Sequence, residues 1–169
     1  PKQACEVPAY LLTSESSLPK VKAAVKPDGK LNILVIGSRS SVIGLSDHSA
    51  AYPNRLQAYL AEKLPGVAVD VSLELQVKKT AEEMAPTLAK LVEDRKPDLV
   101  IWQTGTVDAM RQVDGDDFRN AFDDGFAAMQ KAGTDVISRN LQYSPRRDAR
   151  ISGSADSDKS RLVAQPHYS

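Results

Sequence analysis

The run Leu31-Asn32-Ile33-Leu34-Val35-Ile36 ends at Gly37 and opens into Ser38-Arg39-Ser40-Ser41. It is too short for a helix and does not alternate, so it fits a strand buried on both faces. Strands of that kind belong to parallel sheets covered by helices on both sides. In open α/β sheets, ligands gather outside the carboxyl ends of the strands. Gly37 and the serine-rich turn after it therefore mark the first place to look for chemistry.

The rest of the chain repeats the theme. Leu99-Val100-Ile101-Trp102 is a second continuous apolar run, introduced by the turn Lys96-Pro97-Asp98 and followed by Gly105. Val67, Val69, Val71, Leu73, Leu75 and Val77 alternate with Asp70, Ser72, Glu74 and Gln76, which predicts a strand with one wet face at or near a sheet edge. A fourth, short strand is expected over 134–138. Between the strands lie helical patterns. Tyr52, Leu56, Tyr59, Leu60 and Leu64 share one face, with Pro53 in the first turn and Pro65-Gly66 as the stop. Thr80-Ala81-Glu82-Glu83 is a capping box, and Pro86 predicts a kink or a short first segment in the helix it opens. Phe118, Phe122, Phe126 and Met129 mark another apolar stripe, closed by Gly133. The alternation β-α-β-α-β-α-β predicts an α/β fold, a three-layer α/β/α sandwich with a parallel, flavodoxin-like sheet.

The expected organisation is an N-terminal arm over 1–30, an α/β domain over 31–143 and a polar tail over 144–169. Pro1, Pro8, Pro19 and Pro27 punctuate the arm, and only 18–25 reads as a short helix. The tail is rich in Arg, Asp and Ser and carries little that a core would bury. Leu162-Val163-Ala164 could dock there as a single turn.

Lys+Arg and Asp+Glu both number 22 in the 169 residues, so the formal net charge is zero. A nucleic-acid binder needs a basic excess and is disfavoured. No stretch reads as a membrane span. Cys5 is the single cysteine, which excludes an internal disulfide and leaves open a plain arm residue, an intermolecular bond or a lipid link. A start at Pro1 in place of Met points to a removed leader or a recombinant start.

Three stretches carry a family resemblance: the Gly37 turn, then Ala51-Tyr52-Pro53-Asn54-Arg55-Leu56, then Lys96-Pro97-Asp98-Leu99-Val100-Ile101-Trp102-Gln103-Thr104-Gly105-Thr106. The chain from about residue 25 to 146 resembles the SGNH (GDSL-type) hydrolases, in particular an exported bacterial subgroup. Leu141-Gln142-Tyr143-Ser144-Pro145-Arg146 is similar to that group's loop after the fourth strand. The resemblance implies an esterase fold and a periplasmic or otherwise exported protein.

Ester hydrolysis on such a fold needs a serine nucleophile, a histidine base oriented by an aspartate, and an oxyanion hole built from a backbone N–H and an asparagine amide. The resemblance puts the nucleophile at Arg39, with Ser38 and Ser40 flanking it as the catalytic candidates if the turn shifts by one residue. The oxyanion glycine matches Lys78, in a loop reading Gln76-Val77-Lys78-Lys79-Thr80. The oxyanion asparagine matches Val107, within Gly105-Thr106-Val107-Asp108, and valine has no donor. One lost donor of this kind costs on the order of 3 kcal/mol of barrier. No Asp-x-x-His follows; Asp156 and His167 have the wrong spacing, and His48 reads as a loop residue.

Arg39, Gly105 and Asp108 are the residues assigned to ligand binding. Arg39, Lys78 and Lys79 would suit a carboxylate, a sulfate or a sugar acid if they cluster; the alternative is solvated loop charge. Asp114, Asp116 and Asp117 around Gly115 have the look of an acidic calcium loop, yet lack its closing glutamate and suit a helix N-terminus. No metal or cofactor is expected: zinc spacing, a P-loop and a dinucleotide fingerprint are all missing from the sequence. The reading that follows is a binding or assembly subunit that has lost triad catalysis and meets another protein through its arm and tail. The alternative is a serine esterase acting on acylated carbohydrate or small esters.

Overall fold

The computed structural model describes residues 17–38 and 51–139. In chain order they form α1 (Pro19–Ala24), β1 (Lys30–Gly37), α2 (Tyr52–Lys63), β2 (Ala68–Leu75), α3 (Ala81–Arg95), β3 (Leu99–Gln103), α4 (Thr106–Met110), α5 (Gly115–Lys131) and β4 (Asp135–Arg139). The four strands make one sheet in the order β2-β1-β3-β4, and every pairing is parallel. The two continuous apolar runs are the two central strands, and the alternating strand is an edge, as expected.

Strand parity explains why. In β1, Leu31, Ile33 and Val35 join Leu99 of β3 in a core covered by Val21 and Ala24 of α1 and by Tyr52 and Leu60 of α2. Leu34 and Ile36 point the other way, with Val100 and Trp102, into a core built with Met84, Leu88 and Val92 of α3 and Phe118 and Met129 of α5. A central strand thus has no wet face, and its sequence cannot alternate. Two helical layers and one sheet give the three-layer sandwich.

Side chains at the turns set the register. Asn32 N–H donates to Asp98 Oδ2 at 2.8 Å, while Asp98 N–H donates to the Asn32 carbonyl at 2.9 Å. The residue ending the Lys96-Pro97-Asp98 turn therefore pins the start of β3 against β1. Asp135, opening β4, accepts from Lys20 N–H and Val21 N–H at 2.9 and 3.0 Å. It caps α1, whose own N-cap, Leu18, offers no side-chain acceptor. Residues 18–24, assigned from sequence to the arm, are packed on the sheet in this way.

Four local expectations change. The segment Gly105-Thr106-Val107-Asp108, for which the sequence pattern predicts no element, enters the five-residue helix α4 from Gly105 at φ 94°. α3 runs as one element through Pro86. The proline removes one hydrogen bond near the helix start, and buried Met84, Leu88 and Val92 hold the axis on the sheet. Tyr59 is exposed, because it sits on the margin of the stripe defined by Leu56 and Leu60 and lies against Lys63. Leu75 and Val77 are exposed too, since the strand is ending there and the helical cover has run out.

The capping box at Thr80 and Glu83 is present in both directions. Asp114 is the N-cap of α5 and accepts from Asp116 N–H and Asp117 N–H. Trp102 stacks on Phe122 with ring centroids 5.1 Å apart and planes 3° from parallel, and Phe118 and Phe126 flank that pair. Among the described residues, no helix is long and apolar enough to cross a membrane.

Candidate functional site

Strand ends β1, β2 and β3 leave the same edge of the sheet, because all are parallel. Gly37, the last residue of β1, accepts Gln76 N–H at 2.8 Å, so the first two loops start side by side. Ser38 follows at this edge, half-buried. Arg39, Ser40 and His48 lie outside the described residues.

The third loop is tied to the second through two residues, Asp108 and Arg111. Asp108 in α4 is 3% exposed, and its Oδ1 accepts Ala81 N–H at 2.9 Å. Ala81 is the first residue of α3, where a helix has an N–H with no partner of its own. Arg111, just past α4, donates from Nη2 to the Lys78 carbonyl at 2.9 Å. Its Nη1 reaches both carboxylate oxygens of Glu83 at 3.2 and 3.3 Å. Glu83 in turn accepts Thr80 N–H at 2.8 Å. These contacts bring Ser38, Lys78, Gly105, Val107 and Asp108 to one end of the sheet.

Lys78 has φ 62°, the left-handed region that glycine enters freely and other residues rarely do. The position that the sequence resemblance gives to a glycine thus keeps a glycine's backbone with a lysine's side chain. Val107 is the second residue of α4, half-buried. Lys78 and Lys79 are exposed.

Electrostatics follow burial. Asp108 is pushed above the ordinary carboxylate range, chiefly because burial disfavours its charge. The N–H groups of Ala81, Asp108 itself and Gly105 pull it down, and Glu83 adds repulsion. Glu83 is held below the usual range, first by Thr80 N–H and then by Arg111. Trp102 Nε1, Thr104 Oγ1 and Asp108 Oδ2 are buried without a hydrogen-bond partner among the described residues. Thr104 and Asp108 follow β3 at the strand-end edge, whereas the Trp102 ring lies in the core against Phe122. Among the described residues, no group of three His, Cys, Asp or Glu side chains could hold a metal ion.

Arg111 escaped the sequence reading. It acts across 33 residues on a backbone carbonyl, and no local pattern announces such a contact.

A parallel sheet in the order β2-β1-β3-β4, covered by helices on both faces and with its loops meeting at one end, is a flavodoxin-like three-layer α/β sandwich. The model of the non-GDSL lipase-like family matches residues 4–168, and the chain belongs to that family. Solved structures agree on the fold. TesA is 22% identical with a TM-score of 0.59, and the match covers 70% of this chain and 65% of that one. AlinE4, described as an SGNH-hydrolase family esterase, is 20% identical with a TM-score of 0.57, covering 70% and 63%. The psychrotrophic esterase EstA from Pseudoalteromonas sp. is 17% identical with a TM-score of 0.55, covering 72% and 67%. The chain therefore spans just under two thirds of TesA and of AlinE4. No curated protein is a significant match.

Proposed function

We propose that this chain uses the esterase fold to bind rather than to hydrolyse. The observation that carries the reading is Val107. It stands at the strand-end position that the resemblance assigns to the oxyanion asparagine, and its side chain has no donor to offer a developing oxyanion. Lys78 and Arg39, at the glycine and nucleophile positions, support the same reading. Gly105 and Asp108 lie at the same strand-end edge, and the charges of Arg39, Lys78 and Lys79 favour a ligand bearing a carboxylate, a sulfate or a sugar acid. On this reading a second protein docks on the N-terminal arm and the polar tail, no nucleic acid is involved, and the protein works after export.

The second reading is a serine esterase using Ser38 or Ser40 on acylated carbohydrate or small esters. What favours it is the placement of Ser38 at the end of β1, on a fold shared with solved esterases. Turnover of p-nitrophenyl acetate, with and without a serine-reactive phosphonate, separates the two. Binding without catalysis gives a rate at the buffer background that the phosphonate does not change. A rate that the phosphonate abolishes establishes the esterase.

A further inference from the structure

We infer that Arg111 is a positioning residue for the loop after β2: it holds Lys78 in the backbone conformation that a glycine would adopt unaided. The inference takes its functional meaning from the strand ends being the binding site, but it stands on separate contacts.

Lys78 is left-handed, a state that crowds its Cβ against the following carbonyl. Such a state persists only where the surroundings hold it. Arg111 supplies the hold. Its Nη2 donates to the carbonyl of Lys78 itself at 2.9 Å, a charged donor on the peptide group whose orientation defines the strained turn. Nη1 of the same guanidinium lies on Glu83, whose carboxylate also receives Thr80 N–H. One planar fork thus grips the loop on both sides of Lys79. A lysine at 111 has a single nitrogen and cannot reach both anchors in this geometry.

Arg111 is itself fixed. Its own N–H donates to the Val107 carbonyl at 2.9 Å, and Asp108, three residues earlier, is bonded to Ala81. α4 therefore meets the connection between β2 and α3 at two points, one buried and one at the surface. The Arg111–Glu83 pair is about half exposed on both sides, so as an isolated ion pair it has little to contribute. Its use is to aim the guanidinium at the carbonyl.

A glycine at 78 needs no clamp, which makes the inference testable by a double-mutant cycle on the full chain. The variants are Arg111→Ala, Lys78→Gly and the pair, followed by urea unfolding and by the three-bond HN–Hα coupling of residue 78. Expected are a fivefold or larger rise in the unfolding constant for Arg111→Ala alone and less than twofold when it is added to Lys78→Gly. The coupling at Lys78 should change in Arg111→Ala, and Arg111→Lys should restore neither readout in full. An equal loss from Arg111→Ala in both backgrounds, or an unchanged coupling at Lys78, overturns the inference. The cycle uses no ligand and no ester, so its outcome is independent of whether the site binds or hydrolyses.

Discussion

Asp108 reaches 27 residues back along the chain to accept the N–H of Ala81 at 2.9 Å. That bond joins the segment after β3 to the first turn of α3 and is shielded from water. Asp108→Ala leaves the Ala81 N–H without its partner, at a cost of about 1–3 kcal/mol. Thermal unfolding should move down by several degrees, at about 2–4 °C per kcal/mol for a chain of this size.

The same carboxyl predicts a pH signature. Its native pKa is raised by burial, so the folded state binds this proton more tightly than the unfolded chain. Its contribution is most favourable at low pH and declines as pH rises from the unfolded value of about 3.9 through the raised native value. Asp108→Asn removes the titration and keeps an acceptor for Ala81. The stability of Asp108→Asn relative to the parent should therefore grow with pH across that window, as read by urea midpoints from about pH 3 to about pH 7. A constant difference over the range would show that Asp108 does not titrate above its unfolded value.

Gly125 lets α5 approach β3. A Cβ there would sit 2.8 Å from Trp102 Cη2 and 2.9 Å from Leu88 Cδ1. Gly125→Ala gains helix propensity worth about 1 kcal/mol, but forcing a methyl into this contact costs about 1–3 kcal/mol. The net result should be a lower denaturant midpoint with altered emission from Trp102, the single tryptophan in the chain.

Asp135→Ala should release α1. Two N–H donors lose their acceptor together, an effect of about 1 kcal/mol by the measure of helix caps. Hydrogen exchange should speed up over 19–24 while the amides of β1 keep their protection.

Much of the fold could be read from the residues, and the reasons are local. β1 and β3 announced themselves because burial on both faces forbids alternation. α3 did so because Thr80 and Glu83 cap each other within four residues. α4 stayed hidden: it is five residues long, has no side-chain cap and starts from a left-handed Gly105. The shape of the site was harder still. Nothing about Lys78 signals φ 62°, because lysine has no preference for that region and the force holding it comes from Arg111. Asp108 was legible as a strand-end residue but not as a buried one, since its partner lies in another helix.

On the proposed reading, a serine placed at 39 should not by itself make the chain an esterase. Arg39→Ser returns a hydroxyl but leaves Val107 without a donor, and one missing oxyanion donor lowers turnover by about 10²–10³-fold. Ester hydrolysis by Arg39→Ser should stay at the parent's level. Robust turnover from that single change would mean that the remaining machinery is intact.

The most direct test of binding without triad chemistry is covalent. The full chain is incubated with a fluorophosphonate and examined by intact mass and peptide mapping. Binding without hydrolysis predicts an unmodified mass, since a serine with no general base to deprotonate it does not react. A stoichiometric phosphonyl adduct on Ser38 or Ser40 would contradict it and make the chain a serine esterase.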